Sequence, residues 1–135
     1  MGMFDSIRSV PLACPRCRHR FTVECQTKDL GCWLDAYTFG VRGLPPSEWG
    51  DAETREEKQI EESRLAAAES ALDGRDGETF DALAIDPCPR CGLEYIDAVL
   101  VAEGGVFAKV LRVSGQVCRP GGGILDGFSM EMDEA

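Results

Sequence analysis

Cys14-Pro15-Arg16-Cys17 is written a second time, letter for letter, as Cys88-Pro89-Arg90-Cys91, with seventy residues between the two copies. Two cysteines held two residues apart can both reach one metal ion when the chain between them turns tightly and aims its N–H groups at the sulfurs. Proline inside such a turn pre-sets φ. The second copy runs on into Gly92, where glycine supplies the positive φ that folds the backbone back into a following strand. The first copy has Arg18 at the same place, a departure from that pattern.

Working outward, Phe21 to Gln26 alternates strictly, with Phe21, Val23 and Cys25 on one face and Thr22, Glu24 and Gln26 on the other, as in a half-buried strand. Cys32 to Val41 is rich in aromatic and branched residues and is expected to return beside it as the second arm of a hairpin. Downstream of the second copy, Tyr95 to Ala102 and Val106 to Val113 are apolar and branched, and Glu103-Gly104-Gly105 provides turn residues between them.

Two such knuckles, each leading into a hairpin, resemble the zinc ribbon family over roughly residues 12 to 26 and 86 to 113. The expectation is one structural Zn2+ per chain, held by Cys14, Cys17, Cys88 and Cys91. Four thiolates fill a tetrahedral shell and leave no position for an activated water, which argues against zinc chemistry. Thioredoxin-like redox motifs would need a helix after the CxxC, and neither copy has one. Of the other cysteines, Cys25, Cys32 and Cys118 read as inert thiols, the alternative being a second site with His19, the chain's one histidine. After a knuckle, His19 itself reads as a surface residue.

The segment between the copies changes character at Leu44-Pro45-Pro46-Ser47, which cannot continue a ladder. Asp51 to Asp73 holds no proline or glycine and stops at Gly74, predicting a helix with a left-handed cap. Ile60, Leu65, Ala68 and Leu72 mark a narrow apolar stripe, and eight acids against three bases make the rest an acidic face. Beyond Cys118 the chain is rich in glycine and acid, and is expected to be loosely ordered.

The predicted architecture is a β-rich α+β domain over residues 1–117, zinc-ribbon-like, with an acidic helical insertion at about 44–86 and a tail over 118–135. A chain of 135 residues suits one domain. No apolar run approaches the roughly 18 residues a membrane helix needs, and no secretory signal layout is visible, so the expected location is the cytoplasm, where thiols stay reduced. Met1-Gly2 with Ser6 matches the short myristoylation pattern, which needs a eukaryotic transferase.

The formal charge is −10, and four thiolates with one zinc ion bring it to about −12. That balance repels phosphates at long range and favours basic protein surfaces. The leading functional expectation is a non-enzymatic binding or adaptor protein, with the acidic helix, notably Glu56, Glu57, Glu61 and Glu62, or the Gln26-to-Tyr37 hairpin, as the contact for a protein partner. The alternative is a nucleic-acid-associated zinc ribbon or transcription accessory, using the basic tip Arg16, Arg18 and Arg20 beside His19. An enzyme ranks last: no Ser–His–Asp set, phosphate-binding glycine loop or metal-binding histidine pair is present.

The opening Met1-Gly2-Met3-Phe4-Asp5 and the stretch Gln26-Thr27-Lys28-Asp29-Leu30-Gly31-Cys32-Trp33-Leu34-Asp35-Ala36-Tyr37 resemble small uncharacterised tailed-phage and prophage proteins, which begin MGMFD and carry QTKxLxCxLDxY. The resemblance implies a phage or prophage origin, hence the cytoplasm of a bacterial host or a virion, and no activity. Leu44 to Asp86 has no counterpart in it.

Overall fold

The structure is a computed structural model, and it describes residues 4–30, 36–43 and 55–132. Seven strands form one mixed sheet in the order β3-β1-β2-β4-β5-β6-β7. The strands are β1 (Asp5–Ala13), β2 (Arg20–Thr27), β3 (Ala36–Thr38), β4 (Thr79–Ala84), β5 (Tyr95–Glu103), β6 (Val106–Cys118) and β7 (Ile124–Glu131), with one helix, α1 (Arg55–Glu69), between β3 and β4 among the described residues. All neighbours pair antiparallel except β1 and β3, which are parallel.

The alternation in Phe21 to Gln26 does form a strand, but its hairpin partner differs from the expectation. β2 pairs with β1 on one side and β4 on the other. The expected return over Cys32 to Val41 is only the three residues of β3, laid parallel to β1, with Ser6 opposite Ala36 and Arg8 opposite Thr38. β1 hides from a period-two reading because it is irregular: its register shifts between Ile7 and Val10, and Ser9 sits at φ 57. A bulge of this kind puts polar residues next to one another and breaks the alternation.

β4 lies inside the segment read as an insertion, yet it joins the two halves of the sheet, pairing with β2 and β5. Asp29 Oδ2 accepts from the Asp81 backbone N–H at 2.8 Å, tying the end of β2 to it. The β5–β6 hairpin forms as expected around Gly104-Gly105. Residues 118–135, expected to be loosely ordered, contain β7, because Gly121, Gly122 and Gly123, all at positive φ, turn the chain back onto β6.

The sheet curls. β1 and β6 approach each other although three strands lie between them, and the Gly40 N–H beyond β3 donates to the Phe107 carbonyl at 2.9 Å. Inside the curl are Ile7, Val10, Leu12, Val23, Phe80, Ile96, Leu100, Phe107 and Val113, all buried. Phe80 and Phe107 meet edge to face at 5.2 Å.

The helix is shorter than the predicted Asp51 to Asp73: it ends at Glu69, and Ala71, Asp73 and Arg75 continue in tighter i+3 turns up to Gly74 at φ 74. Residues 51–54, like the Leu44-to-Ser47 linker and Met1-Gly2, lie outside the described residues. Leu65, Ala68 and Leu72 pack on the core as the stripe predicts. Ile60 does not, being 61% exposed. Arg42 holds the end of this segment through Glu69 at 3.8 Å and Asp73 at 2.9 Å. A Cβ on Gly105, in the β5–β6 turn, would meet those same two side chains, Arg42 and Asp73, so the helix exit sits at that turn. β5's nine residues carry the chain roughly 27 Å from there back to the second CPRC.

Candidate metal centre

Both CPRC copies occupy connections between antiparallel strands: the first joins β1 to β2, the second joins β4 to β5. Their backbones repeat one another. The Arg18 N–H donates to the Cys14 carbonyl at 2.8 Å, and the Gly92 N–H to the Cys88 carbonyl at 2.9 Å. The Cys14 N–H donates to the His19 carbonyl at 2.9 Å, and the Cys88 N–H to the Leu93 carbonyl at 3.0 Å. Each first cysteine also receives an N–H from the arginine two residues on, Arg16 to Cys14 Sγ and Arg90 to Cys88 Sγ, both at 3.4 Å. The departure at Arg18 resolves in the same frame: Arg18 takes φ 66, matching Gly92 at φ 77.

Four sulfurs converge from these two turns. Cys14 and Cys91 are 3.5 Å apart, Cys17 and Cys88 are 3.6 Å apart, and all four lie within 4.8 Å of one another. A disulfide would bring a pair to about 2.0 Å. Around a tetrahedral ion with metal–sulfur bonds of about 2.3 Å the sulfurs would sit about 3.8 Å apart, which is the separation seen here. The donor set is therefore fit to hold one metal ion. Among the described residues it is the one group of three or more histidine, cysteine or acidic side chains close enough to do so.

The surroundings bias the thiols. Burial pushes Cys14 up to about 12, with the neighbouring Cys91 and Cys17 thiols adding to the rise against the backbone N–H groups that favour the thiolate. Burial acts on Cys91 in the same direction, but the Leu93 backbone, the Arg16 guanidinium and the Cys14 and Cys17 side chains outweigh it and bring the thiol down to about 6. Arg16 reaches across from one knuckle to the other, donating from Nη2 to the Cys91 carbonyl at 2.7 Å. A metal ion entering this site displaces protons from the thiols, so its affinity falls as pH falls.

β6 backs the centre. Gly115 faces Leu93 and Pro15 so closely that an added Cβ would lie 2.8 Å from Leu93 Cδ2, 2.9 Å from the Tyr95 carbonyl oxygen and 3.3 Å from Pro15 Cγ. Only a glycine lets both knuckles settle against this strand. No pattern local to the CPRC copies marks Gly115, because the close approach comes from a strand over twenty residues downstream.

The remaining candidates separate. Cys25 is fully buried on β2, and burial, with Glu24 nearby, pushes its thiol up to about 12. Cys118 is exposed at the end of β6, and Cys32 lies outside the described residues. His19 stacks on Phe21 at 6.2 Å and is not one of the clustered ligands. Arg16, Arg18 and Arg20 are exposed at the knuckle, joined by Arg90 of the second copy, which the sequence reading left out. Glu56, Glu57 and Glu62 are exposed on α1, while the side chain of Glu61 lies outside the described set. Among the described residues no helix is long and apolar enough to cross a membrane. A scan against protein-family models and searches of curated proteins and of solved structures found no match to this chain.

Proposed function

We propose that this chain is a non-enzymatic, zinc-stabilised binding protein in which Cys14, Cys17, Cys88 and Cys91 hold one structural Zn2+ as the two knuckles of a zinc ribbon. The observation that carries the reading is the convergence of four thiols from two backbone-matched turns. An all-thiolate tetrahedral set is the usual closed zinc site, and it spends every coordination position on the fold. Function then belongs to the surface. The exposed acidic side of α1, with Glu56, Glu57 and Glu62 and the adjacent Glu61, supports docking of a basic protein partner, whose encounter the net charge of −10 accelerates. The MGMFD opening and the QTKDL segment support a phage or prophage origin.

Elemental analysis after purification should give one zinc per chain; no zinc in a folded chain, or two, overturns the metal assignment. Reversing Glu56, Glu57, Glu61 and Glu62 to lysine should abolish capture of the partner recovered from a lysogenic bacterial lysate, with zinc content unchanged. Capture at full strength by the reversed variant moves the contact off the helix.

One observation favours the second reading, a nucleic-acid contact: Arg90 joins Arg16, Arg18 and Arg20 at the metal end, and the half-exposed Tyr95 lies beside Arg16 on the wall of one shallow cavity. Acidic Asp86 and Glu94 at the same end, and the charge of a four-thiolate site, oppose it. Oligonucleotide binding that steepens at low salt and vanishes when the arginines are replaced would establish that reading.

A further inference from the structure

We propose that β7 is a homodimerisation strand, pairing antiparallel with β7 of a second copy about a twofold axis through Phe128, so that two curled sheets become one. This goes beyond the reading above and does not depend on it.

The two ends of the sheet are unequal. β3 closes one end with three residues, whereas β7 closes the other with eight, and among the described residues β7 pairs with β6 alone. Short edges, charged side chains, proline and bulges are the devices that keep an edge from pairing, and of these β7 carries two acids, Asp126 on the core side and Glu131 on the other. β7 has no proline and no basic residue; its one irregularity is the register shift opposite Val117 and Cys118 at its start. From Asp126 to Glu131 the ladder is regular, with Asp126 opposite Val117 and Glu131 opposite Arg112.

What the strand carries also points to a like partner. Phe128 and Met130 sit on the core side, and with Met132 and Val117 they pack against the core while remaining half-exposed. Leu125, at the start of the strand, is 59% exposed. The Arg16 guanidinium lies over the Phe128 ring, 5.9 Å from its centre.

A twofold axis perpendicular to the sheet sets core-side residues opposite core-side residues. Centred on Phe128, it pairs Phe128 with Phe128 of the partner subunit and Asp126 with Met130 of the partner subunit. On the other face Leu125 meets Glu131 of the partner subunit and Gly127 meets Ser129 of the partner subunit. No like charges face each other directly, and the aromatic pair at the centre is a favourable one, whereas Asp126 and Glu131 each face an apolar side chain. Asp126 of the partner subunit becomes the diagonal neighbour of Phe128, on the face where Arg16 already lies, which gives the joint two arginine–aspartate attractions. A foreign strand offers no such built-in match. Against the joint stands the net charge of −10 on each copy, so association should strengthen as salt screens it.

The test is the mass of the full chain as purified, with whatever metal it carries, in solution across micromolar to millimolar concentration, at low and high salt. The expected result is a concentration-dependent rise toward twice 14.7 kDa, larger at high salt. Phe128→Asp should stay at the single-chain mass while keeping its metal content and its circular dichroism spectrum. In a Cys118→Ser background, mild oxidation should link Phe128→Cys into covalent dimers. Ser129→Cys should not link, because its two copies would sit about 8 Å apart, beyond disulfide reach. A single-chain mass throughout, a dimer untouched by Phe128→Asp, or linkage through Ser129→Cys instead of Phe128→Cys overturns the proposal.

Discussion

At Arg18 a side chain stands in a left-handed turn that its twin turn gives to glycine. Arg18 and Gly92 have φ of 66 and 77 and make the same backbone hydrogen bond to the first cysteine of their knuckle. A Cβ in that region costs about 1 kcal/mol, so the two copies of one motif differ in local strain. Arg18→Gly should raise stability by about 0.5–1 kcal/mol, and Gly92→Ala should lower it by about 1 kcal/mol. Equilibrium denaturation of the zinc-loaded variants measures both. Asp97 on β5 gives a pH-dependent case: although exposed, it lines a cavity with Asp81, and partial desolvation there together with the Asp81 charge raises its carboxyl. The folded chain then holds that proton to higher pH than the unfolded chain, whose carboxyl titrates near pH 3.9. The resulting penalty is absent in acid and grows as pH rises through the folded value. Asp97→Asn should therefore be stabilising at pH 7, with a gain over the parent that shrinks toward pH 4, as paired melting curves would show.

Among the elements, β6 has the most to hold together: it pairs with β5 and β7, and Gly115 lets it reach both knuckles. Gly115→Ala forces a Cβ to 2.9 Å from the Tyr95 carbonyl oxygen, a backbone atom that cannot swing aside. Overpacking of this sort costs about 1–3 kcal/mol. Because Pro15 and Leu93 are pushed outward together, the same variant should lose metal to a chelator faster than the parent. A normal chelation rate would mean that β6 does not brace the centre. The helix contrasts with β6. Leu65 and Ala68 in its second half and Leu72 just beyond its end pack on the core, while Glu56, Glu57, Ile60 and Glu62 are exposed, so its attachment is by one end.

For the whole molecule, the cysteine cluster joins the two halves of the chain, since one pair comes from the β1–β2 connection and the other from β4–β5, over seventy residues later, and a metal held there would tie them. Closing so long a loop in the unfolded chain is costly, and binding free energy for a structural zinc is folding free energy. Cys88→Ser should lower stability by several kcal/mol, and removal of zinc by a chelator should lower the melting temperature of the parent but not that of the variant. An equal response of both would detach the metal from the fold. The sequence alone determined the four cysteines that cluster, because two CxxC turns are local and a turn's chemistry is written in consecutive residues. It likewise determined the β5–β6 hairpin, through Gly104-Gly105 between branched runs, and the anchored stripe of the helix. Only the tertiary structure decided which strand lies beside which. β1 with its bulge at Ser9, the three-residue β3 laid parallel, β4 within an apparent insertion and β7 within an apparent tail all take their places from pairing partners distant in sequence. The same holds for Gly115 and for Arg16 on the Cys91 carbonyl: their roles come from approach in space, where propensity and periodicity along the chain carry no signal.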